Sequence, residues 1–420
     1  MTGIAGAGTK RRVLLLLAVA ELLAMSVWFS ASAVVPQLTI EWSLSTTAQA
    51  WLTMSVQIGF VAGALLSAIF NIADRVSAPK LIALSALAGA AFNAAIPLVA
   101  ARLEPAAETA MLLRFLTGAA MAGVYPPGMK VVASWCKADR GLFIGLLVGA
   151  LTIGSGMPHL LAAVSELSGS ISNVPEGIPE WQSVLYGTSA LAFIAAVLAW
   201  FTIQVGPYVA TATAFNWRHA TAGFTHRATR LANFGYFGHM WELYAVWAWV
   251  PLMLVASYSA AGLSSSSARL AAFAFFVVGG VASYLAGGWA DRFGRTTVTM
   301  GALAVSGTCC LVAGLFFSTP GVLTVVCLIW GFSVIADSAQ FSTAVSELTD
   351  PRYVGTALQV QTAFGFLISM ITLQIIPLLV ASLGWETAFI VLVIGPVFGG
   401  VSMWMLRRDP DAEEMAGGKF

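Results

Sequence analysis

The sequence predicts an all-α integral membrane protein with twelve transmembrane helices in two six-helix pseudo-repeats around a central cavity. Three observations predict it. Of 420 residues, 59% are hydrophobic and 9% charged, with a mean hydropathy of +0.86; a soluble domain carries roughly 25% charged residues. The apolar residues gather into twelve runs of about the 20 residues that a helix needs to cross a bilayer. The basic residues gather in alternate connections between those runs, as the positive-inside rule requires. This composition excludes a cytosolic enzyme, a disordered chain and a disulfide-stapled secreted module. A net charge of +1 offers no basic surface for nucleic acid. Runs such as residues 11–20, RRVLLLLAVA, do not alternate as the strands of a membrane barrel must.

The twelve runs lie at about 13–36, 48–70, 80–101, 108–130, 141–164, 184–205, 231–256, 265–287, 296–317, 321–346, 354–381 and 384–406. The first has a basic start (Lys10, Arg11, Arg12) and an Ala31-Ser32-Ala33 stretch like a cleavage site. Its apolar core exceeds the 7–15 residues of a signal peptide, so it reads as an uncleaved first helix. With the N-terminus cytoplasmic, all 20 Lys and Arg residues except Arg102, Arg114 and Arg269 fall on the cytoplasmic side, which places both termini in the cytoplasm of a cell-membrane protein. Residues 206–230 form a basic linker between a 1–205 bundle and a 231–408 bundle, with 409–420 as a tail. The longest outer loop, 165–183, carries Glu166, Glu176 and Glu180 and no base. Cys136, Cys309, Cys310 and Cys327 show no metal-ligand spacing and read as small buried apolar residues.

The two halves repeat. Val35-Pro36 ends the first run and Val250-Pro251 lies near the end of the seventh. Ala73-Asp74-Arg75 follows the second run and Ala290-Asp291-Arg292 the eighth, at nearly the same offset. Parallel six-helix repeats create one central cavity opened to either side by rocking. The segment Gly287-Gly288-Trp289-Ala290-Asp291-Arg292-Phe293-Gly294-Arg295 resembles the signature loop of the major facilitator superfamily, GxxxDRxGR. The first copy departs from it: Phe70 stands for the leading glycine, Ser77 for the second and Ala78 for the following base, while Asp74, Arg75 and Lys80 remain. Arg114-Phe-Leu-Thr-Gly118 is similar to the superfamily's second motif. Gly149-Ala-Leu-Thr-Ile-Gly154-Ser-Gly156-Met-Pro158 does not match its antiporter motif. The resemblance implies a transporter fold and a gating role for Asp74, Arg75, Gly287, Asp291, Arg292, Gly294 and Arg295. Asp291 would meet the start of the fifth run near Gly141, as a carboxylate at a helix N-terminus, and would let go in another state. Plain positive-inside placement accounts for the bases equally well.

Ionisable residues inside the membrane cost at least ~2.5 kcal/mol at mid-depth, so each suggests function. Glu21 lies roughly 12 Å into the first run, with Trp28 further along. On the seventh run Tyr236, His239, Glu242, Val246 and Trp249 share a helical face; His239 and Glu242 can share a proton. An HxxE pair could also be half a metal site, but no second His or Cys pair accompanies it. On the tenth, Asp337 shares a face with Ser333 and Gln340, and Gln361 follows on the eleventh. Proton coupling is expected of Glu21, Glu242, Asp337 and His239. Substrate contacts are expected of Arg114, Trp28, Tyr236, Trp249, Ser333, Gln340 and Gln361. Interhelical polar packing is the plainer alternative for several of them. Arg114 and Glu21 enter from opposite sides, with a vertical gap of ~9 Å, so no salt bridge is expected and Arg114 should be free for a solute.

The reading is a proton-coupled secondary transporter of a small metabolite or ion, acting by alternating access as a monomer without metal or cofactor. Its partners are the solute, protons and the bilayer. Multidrug efflux by proton antiport is the alternative. A membrane sensor and an intramembrane enzyme are alternatives of another class: no soluble domain supports the first, and no nucleophile–base pair or metal cluster the second. The chain has no GxxxxGK[ST] phosphate loop for ATP.

Overall fold

The computed structural model describes residues 7–70, 72–100, 105–136, 139–167, 181–208, 222–350 and 353–419. Most of the 165–183 loop, with Glu176 and Glu180, and most of the 206–230 linker lie outside the described residues, as does the side chain of Asp74.

Among the described residues, ten helices are long and apolar enough to cross a membrane. Each matches a run read from the sequence, from Thr46–Ile69 for the second to Trp385–Arg407 for the twelfth. The first run, expected as a single helix, is broken, and the fourth is broken as its Pro126-Pro127 interruption leads one to expect. The first span is helical over Ala7–Met25, irregular to Ala31, then 3-10 over Ser32–Val34 and helical again over Val35–Glu41. Ser26 and Ser30 donate their hydroxyls to the carbonyls of Leu23 and Val27, three residues back; such local bonds compete with the helical ladder. Pro36, at the start of the next piece, has no N–H to continue the old helix but suits a new first turn.

The fourth span breaks between Ala106–Met121 and Tyr125–Trp135. Pro126 and Pro127 cannot donate to the carbonyls four residues back. The connection tightens instead: the amides of Gly123 and Val124 bond Ala120 and Met121, three residues behind. The tenth span bends at Asp337, between Pro320–Ala336 and Ser338–Glu347. The signature loop turns at Gly294, whose φ of 93° favours glycine. Ser77, in the first copy, is not among the residues of positive φ, so that turn does not need a glycine.

The chain divides into two compact units. One holds residues 1–212 with Ser264–Phe273, the other 213–263 with Ala274–Phe420. In the first unit, spans two and four touch backbone to backbone. A Cβ on Gly118 would lie 1.9 Å from the Val56 carbonyl oxygen, and one on Gly59 1.9 Å from that of Phe115. Span five meets span one in the same way at Gly154, 2.2 Å from the Leu22 oxygen. Val34, Leu38, Leu52, Trp181 and Leu185 pack into one apolar cluster, where the Trp181 indole donates to Glu41 at 2.5 Å. In the second unit Gly238 and Gly395 bring spans seven and twelve together. Small residues permit this approach where lipid offers no hydrophobic drive between helices.

Candidate functional site

In the first unit the break in span one is built around Arg114, which is fully buried. Its Nη1 donates to the Val27 carbonyl at 2.6 Å and the Ser30 hydroxyl at 3.0 Å, and lies 3.4 Å from Asn93 Oδ1. Its Nη2 donates to the Trp28 carbonyl, and its Nε to the Leu52 carbonyl at 3.4 Å. The unwound segment frees carbonyls that lipid cannot satisfy, and a planar five-donor fork fits several at once. Asn93, also fully buried, extends the hub by donating to Leu185, Thr188 and Ser189 of span six. The expectation that Arg114 is free for a solute is therefore corrected: it holds the chain's own oxygens.

Glu21, 1% exposed, sits one turn before the break. Among the described residues neither of its carboxyl oxygens has a hydrogen-bond partner. One lies beside Gly128 of span four, 3.3 Å from where a Cβ would stand. Among the described residues no ion pair joins it to Arg114, as the depth argument expects. Trp28 packs edge-on against Phe60 with ring centres 5.3 Å apart.

In the second unit Glu242, fully buried, receives three donors. Trp330 Nε1 reaches one oxygen at 2.5 Å, with Cys310 Sγ at 3.3 Å from the same atom; Ser306 reaches the other at 3.0 Å. His239 does not share a proton with Glu242. Its Nδ1 lies 2.9 Å from Asp337 at the bend of span ten, both side chains being 1% exposed. The contact is an ion pair by distance, with the ring N–H not aligned on the oxygen. Spacing of i, i+3 puts His239 and Glu242 on one face, but each side chain reaches a different part of the neighbouring helices. Tyr236 and Phe341 flank the His239 ring at 6.2 and 5.6 Å.

The other candidates divide. Gln340 accepts from Arg295 at 2.9 Å, and Arg295 grips Glu347 with two bonds of 2.6 and 2.7 Å. Of the signature loop, then, Arg295 is an internal clamp on the end of span ten. Asp291 is 57% exposed and 3.5 Å from Arg295. Ser333 bonds its own helix at Trp330. Gln361 accepts from Ser342, while its Nε2 has no partner. Trp249 is buried with its indole N–H unpaired. Asp74 and Arg75 fall in the short helix Ile72–Arg75.

Sequence reading missed Ser306, Cys310 and Trp330 around Glu242, and Ser30 and Asn93 around Arg114. An amide in mid-membrane was a visible signal for Asn93; no pattern marks the others. It also missed Glu166, 3.1 Å from Arg269, which in turn donates to the Ala33 carbonyl. All four cysteines are buried and unbridged, as read. No group of three His, Cys, Asp or Glu side chains that could hold a metal occurs among the described residues.

These two polar hubs, one in each unit, fit a protein that moves a solute. The niacin transporter NiaP of Acinetobacter baylyi is 24% identical over 322 residues, covering 69% of this chain and 68% of its own. A bacterial homologue of the human lysosomal transporter Spinster, in an inward-facing unoccupied conformation, superposes with a TM-score of 0.71 at 16% identity, covering 96% and 98% of the two chains. The xylose transporter XylE from E. coli superposes with a TM-score of 0.72 at 15% identity over 95% and 98%. The Major Facilitator Superfamily profile matches residues 17–260 and 232–419. Nearly the whole chain is thereby accounted for as a multi-pass transporter and not an enzyme, and it belongs to the Major Facilitator Superfamily.

Proposed function

We propose that the protein is a proton-coupled secondary transporter of a small organic solute, working by alternating access in the cell membrane. The observation that carries the reading is a buried acid in each unit: Glu21, with two unpartnered oxygens, and Glu242, held by three donors. An unpartnered carboxylate in apolar surroundings is costly, and a proton removes the charge. That is the chemistry a proton carrier needs. His239 and Asp337 lie 2.9 Å apart at a helix bend.

The buried arginines described, Arg114, Arg269 and Arg295, all hold oxygens of the chain itself. This supports a solute that crosses as a neutral molecule, or an acid that crosses with its proton. Given the relative above, niacin is the first compound to test, followed by neutral sugars and cationic dyes.

The test uses the full chain in proteoliposomes. A compound screen by counterflow identifies the solute; a pH gradient then drives its accumulation. Glu242→Gln should lose gradient-driven accumulation and retain exchange between equal pools. Normal accumulation against a gradient in both Glu242→Gln and Glu21→Gln would overturn the proton reading.

A further inference from the structure

A groove of about 600 Å³ runs between spans eight, nine and ten of the second unit, along Val278, Trp289, Phe293, Val305, Ile329 and Phe332. Its lining is almost wholly apolar. The two hydroxyls in it are engaged: Ser333 bonds the Trp330 carbonyl, and Thr297 accepts from Arg407 Nη1 at 2.7 Å. Trp289, Phe293, Val305 and Ile329 are 42, 52, 43 and 48% exposed in the whole chain. In a membrane such a face is covered by acyl chains.

One end of the groove is charged. Arg407 stands there on Thr297. Arg292 is exposed, its guanidinium 5.2 Å from the centre of the Phe293 ring. Lys419 reaches the same end, bonding the Asp291 carbonyl. Two carboxylates at this end, Asp291 and Glu347, are engaged by Arg295, at 3.5 and 2.6 Å. Among the described residues no carboxylate forms an ion pair with Arg292 or Arg407, and both stand at the mouth of an apolar slot. Arginine matches phosphate geometry, and basic pockets at the ends of membrane helices select anionic head groups.

We propose that this groove binds one anionic phospholipid, with an acyl chain along spans eight to ten and the phosphate on Arg292 and Arg407. The site is separate from the buried acids. Neutral lipid fills a slot by its tail alone; the charged end is what selects the anionic one.

Gly301 supplies the discriminating variant. It lies in the groove, and a Cβ added there meets nothing within 4 Å, so a larger side chain occupies the slot without striking backbone. The test is lipid retention by the detergent-purified full chain in native mass spectrometry, comparing phosphatidylglycerol with phosphatidylcholine of the same acyl chains. Phosphatidylglycerol should be retained preferentially. Arg292→Gln and Arg407→Gln should each weaken it about fivefold. Gly301→Leu should weaken it with both arginines intact, and Gly301→Ala should do so less, at unchanged helical content by circular dichroism. Equal retention of the two lipids would overturn the proposal. So would wild-type retention in Gly301→Leu, full competition by soluble glycerol phosphate, or a lipid-free dimer that occludes the groove.

Discussion

Arg114 shows how a single side chain can hold an irregular segment in the membrane. Its fork reaches the Val27 and Trp28 carbonyls in the irregular stretch of span one and the Leu52 carbonyl on span two. Lysine at this position keeps the charge and loses the geometry. Arg114→Ala should therefore cost about 3–5 kcal/mol, as expected when a buried charged hub loses its centre. Arg114→Lys should recover only part, because each orphaned buried carbonyl costs about 1–3 kcal/mol. Melting temperatures in detergent measure both, and a lysine variant as stable as the wild type would refute the clamp. The sequence marked Arg114 as a base inside the membrane but could not give its partners. Those come from spans one, two and three, and residues far apart in sequence meet only in the folded bundle. The same holds for Glu242, legible as a buried acid; its donors Trp330, Ser306 and Cys310 look like ordinary lining residues until the helices pack.

Helix contacts set the next scale. Gly118 lies against the Val56 carbonyl so closely that a methyl group cannot fit without moving spans two and four apart. Gly118→Ala should destabilise by about 1–3 kcal/mol, the usual cost of overpacking, while Gly288→Ala, with nothing within 4 Å, should not. Thermal unfolding of the two variants side by side checks the contrast. At the end of span one, Lys10 donates to both oxygens of Asp139, at 2.7 and 2.6 Å. That hydrogen bond holds the Asp139 carboxyl below the ordinary carboxylate range. A depressed acid stabilises the fold above its unfolded value of about 3.9, and the gain is lost as pH falls through the lower folded value. Asp139 is 42% exposed, so the effect is small. Lys10→Met should melt slightly below wild type at pH 6, with the gap closing on acidification below about pH 4; no gap at pH 6 would show that the pair contributes nothing. Periodicity and length revealed the existence of these helices, whereas the break in span one did not show, because Ser26, Ser30 and Pro36 are each tolerated in membrane helices. The break in span four, by contrast, is marked in the sequence by Pro126-Pro127, which cannot donate to a helical ladder.

For the molecule as a whole, the charge distribution predicts both termini in the cytoplasm. A reporter fused after Phe420 that is active only in the periplasm or outside the cell should stay silent, while a cytoplasmic reporter should be active; the reverse would overturn the orientation and with it the assignment of outer loops. What the sequence determined alone is what depends on solvent. Bilayer thickness fixes helix length and the cost of charge fixes which segments stay in lipid, so twelve spans and the 6+6 repeat can be counted without coordinates. The superfamily loop was also legible, and Gly294 shows its local reason in a φ of 93°. What only the tertiary structure decided is pairing. Which oxygen Arg114 holds, that His239 meets Asp337 and not Glu242, and that Arg295 clamps Glu347 all depend on rotation and depth of one helix against another. Those are set by contacts such as Gly118 on Val56 and Gly238 on Gly395, and no single helix carries that information in its own sequence.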